Sequence, residues 1–433
     1  MNKGEIKLKN IIMKRFTIVV GASLLALCLA GCSSDSPQDI NPVEPPVDEP
    51  VDNPVEEDPV IERTPYKAIE MDSETRSGVG VNNTFAFSLW SNLQKNARND
   101  ENITVVPYSV FSVLSMMANG DDGETRDEVL RTLGLESGEA GLAALNNYNR
   151  VMLSELPDLD GQVQISLANS LWLNEGLKIN PTFANTIGTS YDGALNTCPL
   201  ASEGKDRINA WVSDRTHGLI PNLLNKPLAG SELVVVNAFY FNGLWLFPFI
   251  EEATEQGDFT NADGSRSKAD FMKQQKTFGY AKTDRMEMVS MKYGSGNYEM
   301  VLFMADDESV GEDDINAVLE ARKDTKTIIT LPCFSQESSF ELLDILKAMG
   351  MNRLDFNAML DGHGTTLGRI VHAAKIYVDE KGSRAAAGTA GELFGYNPNE
   401  VEPVEITFNR PFRFMIRETS TGTILLMGRV AKL

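Results

Sequence analysis

The chain has 433 residues, 42% of them hydrophobic, which is enough to bury a large core, and its formal net charge is −22. An acidic excess of that size, with no basic stripe to interrupt it, excludes nucleic acid and heparin-type polyanions as partners, since both are gripped by clustered Lys and Arg.

The elements follow in chain order. Lys14-Arg15 precede the apolar run from Phe16 to Ala30, which is shorter than the ~20 residues a membrane-spanning helix needs. Basic, then apolar, then small residues is the order of a secretory signal. Leu29-Ala30-Gly31-Cys32 resembles the bacterial lipoprotein signal. That resemblance implies cleavage before Cys32, lipid on its thiol, a natural start at Met13, and a lipid-anchored place in the cell envelope, on the periplasmic face or the cell surface. Residues 1–31 are thus read as signal peptide and 32–76 as a tether. Pro37, Pro42, Pro45, Pro46, Pro50, Pro54 and Pro59 alternate there with Asp and Glu, and such a stretch buries too little apolar surface to offset its ordering entropy. Much of the negative charge sits in the tether, so the body from residue 77 to 433 is less acidic than the total. Cys28 leaves with the signal. Cys198 and Cys333 remain in the body, free to pair or to stay reduced, too few for a disulfide scaffold and without metal-ligand spacing.

From about Val79 the chain reads as globular. Apolar residues at helical spacing predict a helix over 85–93, capped by Asn82, Asn83 or Thr84. A short strand over 102–106 leads through Pro107 into an almost wholly apolar helix over 110–118, which must be central. A second amphipathic helix covers 124–133 and stops at Gly134. The runs 163–173 and 233–241 are apolar on both faces, the mark of strands buried between layers. A helix over 207–216 lies between them. Further strands are expected over 327–334 and 370–378, separated by a helix over 340–349 with Gly350 as its stop. Strands over 404–417 and 423–430 close the chain around a Ser-Thr-Gly turn. No internal period appears, so the class is mixed helix and sheet in one large domain.

Directly after the run 370–378 the sequence changes to small side chains, Glu380 to Ala390. Three alanines with Glu, Ser and Arg nearby fit an exposed helical turn, but Gly382, Gly388, Gly391 and Gly395 each cost a helix about 1 kcal/mol relative to Ala. The other reading is a loop of little bulk that fits more than one backbone state.

Enzyme motifs are absent: no Gly-x-Ser-x-Gly elbow, no phosphate-binding loop, no His-Glu-x-x-His. Gly362-His363-Gly364 with Gly368 has the wrong spacing and frame for a nucleotide loop. His217, His363 and His372 are the only histidines, and His372 sits in an apolar strand, where a hydrogen-bonded structural histidine is commoner than a catalytic base. No catalytic residue, metal or cofactor is read from the sequence.

Several blocks, in order, resemble the serpin family from about Val81 to Leu433: Asn102-Ile103 through Pro107, Ser109 and Gly120; Ile208-Asn209 with Thr216 to Ile220; Val236 to Trp245 with Pro248-Phe249; Leu331-Pro332; His372; Glu380-Lys381-Gly382-Ser383; Phe408 to Phe412; and Gly428-Arg429-Val430. The resemblance implies an α+β fold of three β-sheets and eight to nine helices, with an exposed reactive-centre loop at about 380–403. It implies no enzyme but a monomeric inhibitor that a protease attacks as a substrate. The cut loop then inserts between strands 233–241 and 370–378 and drags the acyl-linked protease away, a known case of strand addition driven by stored strain.

The hinge would be Glu380, Lys381, Gly382, Ser383, Arg384, Ala385, Ala386, Ala387, Gly388 and Thr389. Strand alternation puts Ser383, Ala385, Ala387, Thr389, Gly391 and Leu393 on one face, small and uncharged at its leading end, and Arg384, Ala386, Gly388, Ala390, Glu392 and Phe394 on the other. Both charges fall on the second face, which favours an inhibitor over a non-inhibitory binding or chaperone-like module. The family's spacing from the hinge places the cut at Tyr396-Asn397; counting back from Phe408 lands near Glu400, and Phe394-Gly395 is the alternative, so the bond lies within 393–400. Tyr396 suits a chymotrypsin-like, cathepsin G-type or elastase-like serine protease, and papain-like cysteine proteases also read an apolar residue there. Ser109, Asn237 and His372 resemble the polar cluster under the opening sheet, with Val106 where the family has a serine. Trp245 resembles the aromatic at the loop's entry point.

Overall fold

In the computed structural model, residues 63–305, 309–383 and 402–433 are described. The chain divides into 1–56 and Glu57–Leu433; the first unit lies outside the described residues, and the account below concerns the second. Among the described residues no helix is long and apolar enough to cross a membrane.

One sheet places the site. Its strands run in the order Phe334–Glu341, Thr365–Val378, Leu233–Leu244, Val163–Asn174, Ala194–Cys198. The strand Leu233–Leu244 is buried along nearly its whole length because both faces are covered. Leu233, Val235, Phe239 and Phe241 enter the main core, while Val234, Val236, Ala238 and Tyr240 enter a second core with Ile208 and Val212 of the helix Lys205–Arg215. That is the two-sided burial expected from its continuous apolar run. Beneath it lies the helix Pro107–Ala118, all twelve of whose residues are buried.

Among the described residues the other sheet has nine strands, including Arg266–Lys282, Met286–Tyr293, Tyr298–Ala305, Lys323–Pro332, Phe412–Glu418 and Ile424–Val430. Arg266–Lys282 joins two regions: Phe271 to Tyr280 pair with Lys323–Pro332, and Gly279 to Lys282 pair with Glu287 to Ser290. The three expected sheets are therefore present as two continuous ladders, one strand being shared. Among the described residues eight α-helices complete the α+β class.

Three elements differ from the sequence reading. The first helix is Ser73–Asn96, capped by the Asp72 carboxylate on the Thr75 N–H, and not 85–93. The helix runs through Gly78, where a Cβ would press within 2.7 Å of the Tyr148 ring, so the glycine serves packing. Residues from Arg63 already bond to the body, which moves 63–76 out of the tether: the Arg63 guanidinium donates to the carbonyls of Leu246 and Gly294, and Ile69 is buried. The expected helix 340–349 shrinks to Leu343–Ala348, preceded by the strand Phe334–Glu341, and the strand 404–417 breaks into Val404–Thr407 and Phe412–Glu418 around Asn409 to Pro411.

Candidate functional site

Strand Thr365–Val378 runs parallel to Leu233–Leu244 and pairs with it only from Leu367 to Ala374. Beyond Ala374 the partner changes. The chain turns at Asp379, whose carboxylate accepts from the N–H groups of Lys381 (3.0 Å) and Gly382 (3.1 Å), and returns antiparallel with Gly382 opposite Leu244 and Ser383 opposite Gly243. Two residues of the expected hinge thus sit beside Leu233–Leu244 where its pairing with Thr365–Val378 ends, so Gly382 and Ser383 are strand, not helix.

Gly382 has φ +155, and a Cβ on it would lie 2.0 Å from the Gly243 carbonyl oxygen, so no other residue fits. Ser383 is fully buried and shares a 2.7 Å hydrogen bond with the Tyr293 hydroxyl. Trp245, 1% exposed, stacks on Tyr293 at 4.2 Å and donates its indole N–H to the Asp379 carbonyl at 2.9 Å. Backbone bonds tie the turn to the same segment: the Trp245 N–H donates to Lys381 and the Phe249 N–H to Glu380. Thr254 donates its hydroxyl to the Glu380 carboxylate, and Lys381 pairs with Glu251 at 2.9 Å. Arg384, Ala385, Ala386, Ala387, Gly388, Thr389, Phe394, Gly395, Tyr396 and Asn397 lie outside the described residues, as does Cys32.

Ser109, Asn237 and His372 come together under the sheet. His372 stands opposite Asn237 across the parallel strands, and Asn237 opposite Asn169 across the antiparallel pair. The Val106 N–H donates to His372 Nε2 at 3.1 Å, which leaves the proton on Nδ1, where it is donated to Asn237 Oδ1 at 2.5 Å. Asn237 Nδ2 donates to Asn169 Oδ1 (2.6 Å) and to Ser109 Oγ, and Asn169 Nδ2 donates to Ser112 Oγ at 3.1 Å. Val106 therefore supplies from its backbone a contact to the imidazole, although its side chain has no hydroxyl to give.

Burial pushes the His372 pKa down to about 3, well below the ordinary value near 6.5. An unfolded chain takes up a proton below pH 6.5 that the folded chain refuses, so this residue lowers stability progressively as pH falls from 6.5 toward 3. Chemical unfolding at pH 6.5 and pH 5 is expected to show a loss of about 2 kcal/mol from this source. A His372→Gln variant should lose correspondingly less over the same interval, and an identical loss in both proteins would remove His372 from the account.

His217 packs against Tyr240 with ring centroids 4.8 Å apart and planes tilted by 59°, and His363 lies exposed in a bend, so neither joins His372. Cys198 and Cys333 are both free thiols. Burial, and then the Glu380 carboxylate, push the Cys333 thiol up to about 12. Among the described residues no group of three His, Cys, Asp or Glu could hold a metal. The sequence reading missed Asn169, Tyr293 and Asp379. A lone Asn inside the apolar run 163–173 was a signal for the first, because a buried amide demands partners; nothing local marked the other two.

Comparison with known proteins places this geometry. A family profile described as "Serpin (serine protease inhibitor)" matches residues 80–433. An uncharacterized serpin-like protein of Methanosarcina acetivorans is 27% identical over 370 residues, covering 81% of this chain and 86% of the relative. Among solved structures, the thermophilic serpin Tengpin in its native state matches with a TM-score of 0.74 at 24% identity, covering 86% of this chain and 98% of that one. Human thyroxine-binding globulin, solved with thyroxine, matches with a TM-score of 0.76 at 22% identity, covering 83% and 99%.

Proposed function

The chain belongs to the serpin family, and on that premise we propose that it inhibits chymotrypsin-like or elastase-like serine proteases by covalent trapping. The protease nucleophile attacks the Tyr396 carbonyl, the Tyr396-Asn397 bond breaks, and the Asn397 amine leaves with a proton. The protease stays acyl-linked to Tyr396 while the loop enters the sheet between Leu233–Leu244 and Thr365–Val378. Papain-like cysteine proteases fit the same sequence of steps. Lipid on Cys32 would hold the inhibitor at the cell envelope.

The observation that carries this reading is the docked hinge. Gly382 and Ser383 already pair with Leu244 and Gly243, Ser383 is fully buried, and its buried side chain carries no charge. Insertion therefore has a nucleus and needs only to propagate, while the polar cluster of Asn237, His372 and Asn169 bridges the sheet farther down and must yield as the strands part. Fold alone would also fit a binding protein, since human thyroxine-binding globulin shares it; the hinge is what favours inhibition.

Incubating the protein with chymotrypsin and cathepsin G should give a complex that survives boiling in SDS, with mass spectrometry placing its ester at Tyr396. Clean cleavage within 393–400, with no complex and no rise in melting temperature, would show a substrate or binding module instead.

A further inference from the structure

A cavity of about 220 Å³ lies between the segment after Trp245 and the nine-stranded sheet, and no part of the inhibitory reading uses it. On its floor Lys292 and Glu299 stand opposite one another on adjacent strands, with Arg417 opposite Glu299 on the next strand, outside the cavity lining. Glu299 is 1% exposed and receives Arg322 on both oxygens (2.9 and 2.8 Å) and Arg417 Nε at 2.6 Å. Burial opposes its charge, but the two guanidinium groups hold its carboxyl below the usual range, so it stays ionised. Two guanidinium groups therefore saturate one buried carboxylate, and Lys292 stands opposite it across the strands without an ion pair to it. The other acid lining the cavity, Asp324, is exposed at the rim.

The lining carries two cations, Lys292 and Arg322, and two acids, Glu299 and Asp324, but Glu299 is already taken by two guanidinium groups, which leaves donors over. Arg322 spends only Nη1 on Glu299 and on Ser290, and among the described residues its other N–H groups and the Lys292 ammonium have no protein partner. The room beside Arg322 exists because residue 279 is glycine: a Cβ there would lie 2.6 Å from both Arg322 Cδ and Ser290 Oγ. Leu246, Phe247 and Phe278 supply apolar walls. A fork of unpaired donors next to an apolar wall fits a carboxylate on a short apolar body.

We propose that this cavity binds a small amphiphilic carboxylate, its charged head on Arg322 and Lys292 and its apolar body against Leu246 and Phe247. The site is coupled to the hinge. The Leu246 N–H donates to the Lys292 carbonyl, and the neighbouring Trp245 and Phe249 N–H groups hold Lys381 and Glu380. A ligand beneath this segment braces it in the state where the hinge is docked, keeps the insertion nucleus in place and speeds the protease-trapping step. That regulatory half rests on the proposed inhibition; the binding half does not.

Hexanoate and benzoate are the probes, titrated by calorimetry into the whole protein, with hexanamide as the uncharged control. Saturable carboxylate binding is expected, with hexanamide about tenfold weaker or worse. Lys292→Gln should weaken hexanoate by a similar factor, and Gly279→Ser should remove binding by filling the space. Because Gly279→Ser could disturb the sheet, thermal melts of both variants accompany the titration, and Lys292→Gln, at an exposed position, keeps the test decisive. No saturable binding of either carboxylate, equal binding of hexanamide, or indifference to Lys292→Gln overturns the site. Binding without any effect on the rate of SDS-resistant complex formation overturns the coupling alone, and binding in a protein that traps no protease overturns the inhibitory reading while the site stands.

Discussion

Replacing Ser383 with arginine should turn the proposed inhibitor into a substrate: the protease still cuts the loop, but the SDS-resistant complex disappears. Ser383 is fully buried beside Leu233–Leu244, within hydrogen-bond distance of Tyr293 and opposite Gly243. Burial has already pushed the Tyr293 phenol well up, so it offers a guanidinium no anion, and the nearby Asp379 carboxylate is already taken by the Lys381 and Gly382 N–H groups. Burying that charge without a partner costs several kcal/mol. Each ~1.4 kcal/mol slows insertion about tenfold, so hydrolysis of the acyl link wins the race. Ser383→Ala is the control, since it forfeits only one neutral hydrogen bond, about 1 kcal/mol, and should keep most of the trapping. Undiminished complex formation by Ser383→Arg would falsify the assignment of this face to the interior.

Asn237→Ala is expected to cost more stability than any other single truncation in the cluster, about 4 kcal/mol. Asn237 is the one side chain bonded to His372, Asn169 and Ser109 alike, and its loss leaves the His372 Nδ1–H with no acceptor and weakens the hold on both other groups. All of them are buried, so water does not replace the missing partner. The strands Leu233–Leu244 and Thr365–Val378 should then separate more readily, and the loop should enter without being cut. The check is a melting curve with a native gel after warm incubation: a lower first transition and a species that no longer traps protease are expected. An unchanged transition would mean that the cluster does not hold the sheet closed.

The parts of this molecule that were legible in its sequence are those where one physical demand dominates. Strands Leu233–Leu244 and Thr365–Val378 were visible because two-sided burial forces a continuous apolar run. Strand Phe334–Glu341 was hidden because its inward positions are partly polar. Gln336 accepts from the Thr104 hydroxyl and donates to the Arg429 carbonyl, and Ser338 accepts from the Thr104 N–H, so the alternation is of partners and not of hydrophobicity. Ser109, His372 and Asn237 could be named from resemblance, but the chain of donors and acceptors that joins them needs the register of three strands. Asn169 belongs to that chain and carried only the weak mark of an amide in an apolar run. The hinge was legible as far as its small residues; that Asp379 folds the turn back through two backbone N–H groups is a property of geometry that no spacing announces.

Arg63 gives the body a fixed polarity. The chain joins the body beside Leu246 and Gly294, at the same end of the Leu233–Leu244 strand where Gly382 and Ser383 are docked. The far end of that strand lies roughly 40 Å away by strand rise. On the proposed mechanism the hinge end of the loop is already seated at Leu244 and Gly243, so all of the travel on insertion falls to the cut end and the seated end acts as a fixed pivot.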